Sequence, residues 1–169
     1  MTKTASAEAA LQDRYAATSI CFGCGPANAR GLRLKSYVQG ELVVATFLPE
    51  EYQQAFPGVL NGGIIGALLD CHGNWTAAYS LMQARSLAVP PCSVTADFHV
   101  VLRAPTPVSG PLQLSARAVL IEAGRAGGED AAGMRCTVDA ELSAGGKVTA
   151  TCRGTFVAVK PGHPAYHRW

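Results

Sequence analysis

The chain has 169 residues, enough for one domain with a sizeable core. Its 49% hydrophobic and 15% charged residues describe a globular protein and exclude a disordered one. A formal charge of +2, with no basic run or stacking motif, argues against a nucleic-acid partner, and no stretch approaches the roughly 18 apolar residues of a membrane span.

The N-terminus has no continuous apolar core of the kind a secretion signal carries, and Glu8 interrupts what little there is. The expectation is a cytoplasmic protein with reduced thiols. Residues 1–20 are Ala-rich and read as an N-terminal extension with room for a short helix. Cys21 and Cys24 then form a lone Cys-x-x-Cys without the second pair of a zinc ribbon. A metal would have to recruit Cys71, Cys92, Cys136 or Cys152, so the pair reads as a local structural element and no metal is expected.

Gly31 releases a strand over 32–38, Gln39-Gly40 marks a hairpin turn, and a second strand runs over 41–48. Residues 49–60 read as a loop with its turn at Pro57-Gly58. From Asn61 to Gln83 comes the one long helical segment, where Ile64, Ile65, Leu68, Leu69, Trp75, Ala78 and Leu81 cover more than one face, as in a helix enclosed by protein. Gly66 and Gly73 each lower helix propensity by about 1 kcal/mol, a cost that close packing explains. Strands follow over 93–102, 112–121, 134–142 and 147–159, and a Pro-containing tail occupies 160–169. The order β-β-α-β-β-β-β predicts an α+β fold, a curved antiparallel sheet wrapped around one long central helix.

Candidate chemistry gathers on that helix. Gly62 and Gly63 at its start leave N–H groups open to a ligand at the positive end of the dipole, and Asp70 sits further along in apolar surroundings. Asp70 and Gly63 share a face but lie about 10 Å apart along the axis, too far to serve one carbonyl carbon. Antiparallel packing of two such helices across a twofold axis brings one protomer's Asp70 near the other's Gly63, so the spacing favours a homodimer. The alternative is a structural Asp70, paired with Arg103 or hydrogen-bonded across the dimer. Asn61 is well placed as an N-cap. Strand alternation puts Thr95 on one face with Asp97 and His99, and His99 reads as a rim residue. His72 is about 200° around the helix from Asp70 and is not its partner.

Gln54-Ala-Phe-Pro-Gly-Val-Leu-Asn-Gly-Gly63 followed by Leu69-Asp70 resembles the hotdog-fold acyl-CoA thioesterases, in particular the phenylacetate-pathway branch with its Gln-Gly-x-Pro-Gly-x-x-His-Gly-Gly and Leu-Asp. Thr95 to Pro105 looks like the family's third strand, and Cys21 to Leu32 is similar to the N-terminal element of many bacterial members. The likeness spans 21–159, taken as the hotdog domain. It implies a catalytic carboxylate at Asp70, an oxyanion donor at Gly62 or Gly63, a polar group at Gln54 and a hydroxyl at Thr95. It also implies sites shared between subunits of a dimer, which is read here as a homodimer or a pair of such dimers. Asn61 stands where the family usually has His, and Asn cannot titrate near neutrality.

The expected reaction is hydrolysis of a small or medium, including aryl, acyl-CoA thioester, with Asp70 as base or nucleophile. Coenzyme A enters only as part of the substrate, with no separate cofactor. Arg103, Arg125 and Lys160, in or near loops, are the candidate cations for its phosphates. The competing reading is a non-catalytic acyl-CoA-binding protein. A hotdog hydratase fits poorly, because no Asp-x-x-x-x-His pair follows a helix start.

Overall fold

A computed structural model describes residues 9–124 and 131–166. After a short helix α1, Leu11–Tyr15, the chain forms β1 (Ser36–Gln39), β2 (Leu42–Phe47), the short strands β3 (Gln54–Phe56) and β4 (Val59–Leu60), and the 23-residue helix α2 (Gly62–Ala84). Four long strands follow: β5 (Ser93–Leu102), β6 (Leu112–Glu122), β7 (Arg135–Ala144) and β8 (Lys147–Ala158). Six strands make one sheet in the order β1-β2-β6-β7-β8-β5, every neighbouring pair antiparallel, with β1 and β5 at its edges. Helix α2 lies against β2, β5, β6, β7 and β8. The α+β sheet-and-helix arrangement expected from the sequence is present.

The sheet accepts the helix because of what its inner face carries. Val43, Ala116, Ala140, Cys152 and Val100 pair in register as one row across five strands. Such a row of small side chains lets a helix sink close to the backbone. Above it, Leu68, Leu69, Ala77, Ala78 and Leu81 of α2 are fully buried, facing Leu112, Leu114, Val138, Leu142 and Phe156. Gly73 explains its own cost. A Cβ there would lie 2.8 Å from Cζ of the buried Phe156, so only glycine allows this approach. The tight β7–β8 hairpin turns at Gly145 and Gly146, both with positive φ, as a two-residue turn between right-twisted strands requires.

Two expectations about strands are corrected. The first strand begins at Ser36 rather than Leu32, because the N–H groups of Leu32 and Leu34 bond to the carbonyls of Phe22 and Gly23, and Arg33 between them has a φ of 51°. The loop over 49–60 contains a 3-10 turn, Glu51–Gln53, and the β3–β4 ribbon.

One polar chain crosses the interior. The His72 Nε2–H donates to the Val43 carbonyl at 3.0 Å, which leaves Nδ1 to accept from the Ser36 hydroxyl at 2.9 Å. Ser36 Oγ accepts in turn from the Gln12 amide at 3.0 Å, and the Ser36 N–H donates to Gln12 Oε1 at 2.8 Å. His72 therefore ties α2 to β1, β2 and α1, on the side of the helix away from Asp70 as its angular position predicts.

Burial pushes the His72 imidazole down to about 4. Its pKa is lower folded than unfolded, so its contribution is fully present above about 6.5 and is lost as the pH falls toward 4. Urea unfolding between pH 7 and 4 is expected to show a loss of roughly 3 kcal/mol from this group, beyond that of the carboxylates. The extra slope should vanish in His72→Gln, and an unchanged slope would refute the assignment.

Candidate active site

Helix α2 runs antiparallel to β5 and is tied to it and to the segment just after it at two points. At its start, the Leu60 N–H donates to the Thr106 carbonyl at 2.8 Å, just beyond β5, and the Thr106 hydroxyl donates to Thr149 Oγ1 at 2.8 Å. Further along, the Asn74 amide donates to the Ser93 carbonyl at 3.2 Å while its oxygen takes the Ser93 hydroxyl, at the start of β5. Everything between these ties is placed by them.

Asn61 is the N-cap. Its Oδ1 accepts the Gly63 N–H at 2.8 Å, and its carbonyl accepts from Ile64 and Ile65. Among the described residues no acceptor meets the Gly62 N–H, so of the two glycines Gly62 presents the open donor. Gly62 lines a mainly apolar cleft of about 380 Å³ with Phe56, Ile65, Leu102, Arg103 and Pro105. Gln54 closes the turn before the helix: its Oε1 accepts the Gly58 N–H at 2.9 Å across the β3–β4 ribbon. The neighbouring Gln53, not singled out from the sequence, is buried and binds both ways. Its side chain accepts from the Glu50 N–H at 3.0 Å, and its carbonyl accepts from the Asn61 N–H at 3.0 Å.

Asp70 is half-buried two turns along. Thr95 donates its hydroxyl to Asp70 Oδ1 at 2.7 Å, which joins the two residues expected to work together. Burial pushes the carboxyl above its ordinary value, and the Thr95 hydrogen bond partly offsets this. The structural alternative of an Asp70–Arg103 pair does not form: the Arg103 Nε–H donates to Thr151 Oγ1 at 3.1 Å.

The face assignment on β5 is overturned. Thr95 pairs with Phe156 but Asp97 with Thr155, a bulge that leaves Ala96 unpaired and reverses the alternation. Thr95 therefore faces α2, while Asp97 and His99 turn outward, His99 opposite Arg153, whose guanidinium holds Asp139 at 2.6 and 2.7 Å. His99 is exposed, as a rim residue should be.

The candidate phosphate cations separate. Arg103 shares the Gly62 cleft. Lys160 is exposed beyond the far end of β8, roughly 30 Å of strand away from Thr149, whose carbonyl binds the Arg103 N–H. Arg125 lies outside the described residues. A second cavity of about 410 Å³, with Leu87, Val89, Pro90 and Val159 on its wall, has no acidic side chain among the described residues.

The structure also gathers what the spacing did not. Asp70 borders a small cavity of about 110 Å³ together with Cys21, Cys24, Cys71, Asn74 and Trp75. Cys71 follows Asp70 directly on α2 and meets the Cys-x-x-Cys turn, a contact between segments fifty residues apart that no local pattern announces.

Several solved structures with this fold carry thioesterase names. A thioesterase superfamily protein from Shewanella loihica is 29% identical, over 80% of this chain and 98% of that one, with a TM-score of 0.60. A phenylacetic acid degradation-related protein from Ralstonia eutropha is 22% identical over 79% and 90%, with a TM-score of 0.58. A thioesterase from Haemophilus influenzae is 18% identical over 78% and 84%, with a TM-score of 0.57. No protein-family model and no curated protein matches the chain. The likeness to hotdog-fold thioesterases, read first from the motifs, is thus borne out by these neighbours, and the Ralstonia protein shares the fold. Among the described residues, no helix is long and apolar enough to cross a membrane.

The cap is the part of this site that one substitution isolates. Asn61→Ala should lower stability by about 1 kcal/mol in urea titration, whereas Asn61→Asp, which keeps the acceptor, should retain it. Equal stability of all three proteins would show that the cap bond is not formed.

Proposed function

We propose that this chain is an acyl-CoA thioesterase acting at a site shared by two protomers. The observation that carries this reading is the half-buried Asp70 carboxylate, held by the Thr95 hydroxyl on a helix whose first N–H, at Gly62, stands open beside a cleft. The thioesterase names of the structural neighbours support it.

Gly62 and Asp70 are eight residues apart, about 12 Å along α2, and cannot reach one carbonyl carbon within a protomer. Strand β5 is a free sheet edge with Phe98 and Leu102 exposed. A twofold axis near its middle, pairing two β5 strands antiparallel, exchanges the strand ends. Asp70, beside Thr95, then faces the partner's Gly62, beside the partner's Leu102. Gly62, Gly66 and Asp70 share one side of α2 at intervals of four, and a Cβ on Gly66 meets nothing within 4 Å inside the chain. That open strip is where a second α2 would lie.

In this arrangement the acyl chain enters the cleft, Arg103 faces the phosphates of coenzyme A, and the thioester carbonyl accepts the Gly62 N–H. The N–H stabilises the oxyanion as it forms, a contribution reaching about 3 kcal/mol per donor in hydrolases. Asp70 either takes a proton from the attacking water or attacks first to give an anhydride that water opens. Coenzyme A leaves as its thiol. A cap at position 61 needs an acceptor oxygen and no proton transfer, so Asn can stand where the family usually has His.

A panel of acyl-CoA thioesters with free-thiol detection tests the reading. Asp70→Asn should lower kcat at least about a hundredfold with KM little changed. A wild-type protein that binds acyl-CoA without turnover would establish the binding protein instead. Gly66→Leu tests the shared site. The variant should fold, sediment as a monomer, and lose at least about tenfold in activity, the order of 1.4 kcal/mol in barrier. A fully active monomer would refute the two-protomer arrangement.

A further inference from the structure

The Cys-x-x-Cys turn and the residue after Asp70 make a second site that hydrolysis does not use. The sulfurs of Cys21, Cys24 and Cys71 all lie within 4.8 Å of one another, and those of Cys21 and Cys71 are 3.7 Å apart. A tetrahedral zinc ion with bonds of roughly 2.3 Å spaces its sulfurs by about 3.8 Å. The trio thus has the spacing of a ligand set before any ion is placed in it.

The surroundings hold that spacing from three sides. The Cys21 carbonyl accepts the Gly25 N–H at 2.8 Å and closes the turn, which Leu32 and Leu34 strap down through Phe22 and Gly23. Gly23 has no room for a side chain, since a Cβ there would stand 2.4 Å from Cys71 Sγ. A Cβ on Gly25 would stand 2.4 Å from the Cys21 nitrogen. Gly23 lets the turn lie against α2 and Gly25 keeps the turn tight, and together they bring all three thiols to one point. The Trp75 indole N–H donates to Cys24 Sγ at 3.3 Å, a contact that favours a thiolate there. Cys21 is exposed and gives an ion a way in, while Cys24 is buried. The Asp70 carboxylate borders the same cavity and adds negative charge.

We propose that Cys21, Cys24 and Cys71 bind one thiophilic divalent cation of the zinc type, with its fourth position toward the cavity that Asp70 borders. Three sulfurs select such an ion over hard cations, which prefer oxygen. The thiol protons leave to solvent as the ion binds. The ion staples the N-terminal segment to α2 one residue from Asp70. This inference does not depend on the hydrolytic reading.

The full chain, purified with a thiol reductant and stripped by chelator, should take up one equivalent of Co²⁺. Sulfur-to-cobalt charge-transfer absorption and the visible bands of a tetrahedral ion should appear together, and added Zn²⁺ should displace both. Cys71→Ser should weaken uptake by more than the roughly 10–100-fold that losing an outer partner of a ligand costs. Cys21→Ser, at an exposed position, should fold by circular dichroism and weaken uptake similarly, while Cys92→Ser should bind as wild type. Wild type without the charge-transfer band would overturn the proposal, whether its thiols are fully reduced or Cys21 and Cys71 are recovered as a disulfide. Uptake unaffected in both Cys21→Ser and Cys71→Ser would do the same.

Discussion

The depth to which α2 sinks into the sheet governs the rest of this molecule. A 23-residue helix with apolar side chains around most of its circumference is stable only when enclosed. Val43, Ala116, Ala140, Cys152 and Val100 allow that by lining up small groups beneath it. Gly73 against Phe156 marks the closest approach, where one added carbon would have no space. Once the helix is seated so deeply, each polar residue it carries must either find a partner inside or reach the one side left open.

His72 and Asp70 show the two outcomes two residues apart. His72 turns toward β1 and β2, where both ring nitrogens are satisfied, and burial keeps it neutral. Asp70 turns to the other side, where the Thr95 hydroxyl meets one oxygen and the carboxylate stays half-buried. The bulge at Ala96 makes this meeting possible. It lets Thr95 face the helix while the rest of β5 places Asp97 and His99 on the outer surface. The same helix thus anchors the fold through one residue and presents a half-buried carboxylate through the other.

Two ties along the helix set where its polar groups stand as well. The Thr106 and Thr149 contacts fix the helix start beside Leu102 and Arg103, and the Asn74–Ser93 pair fixes the middle beside Thr95. A donor and a carboxylate on one straight helix stay about 12 Å apart, whatever the side chains do. A single protomer therefore holds the Gly62 N–H and the Asp70 carboxylate apart on one side of α2, and in the proposed arrangement the edge strand β5 is where a second copy unites them.

Much of this was legible from residue order, because the signals are local. The Gly62-Gly63 start, the Asn61 cap, and the limits of α2 and β5 follow from backbone rules acting within a few residues. Tertiary contacts decided where local rules compete with distant partners. Leu32 and Leu34 left the first strand because Phe22 and Gly23 had taken their N–H groups. Alternation along β5 failed at Ala96 because β8 pairs with a shifted register there. Cys71 joined Cys21 and Cys24 only because Gly23, with no side chain, lets their turn lie against the helix. Covalent order sets which groups a segment offers and at what spacing. Which of those groups meet across fifty residues is set by how closely two backbones can approach, and that depends on the whole packed interior.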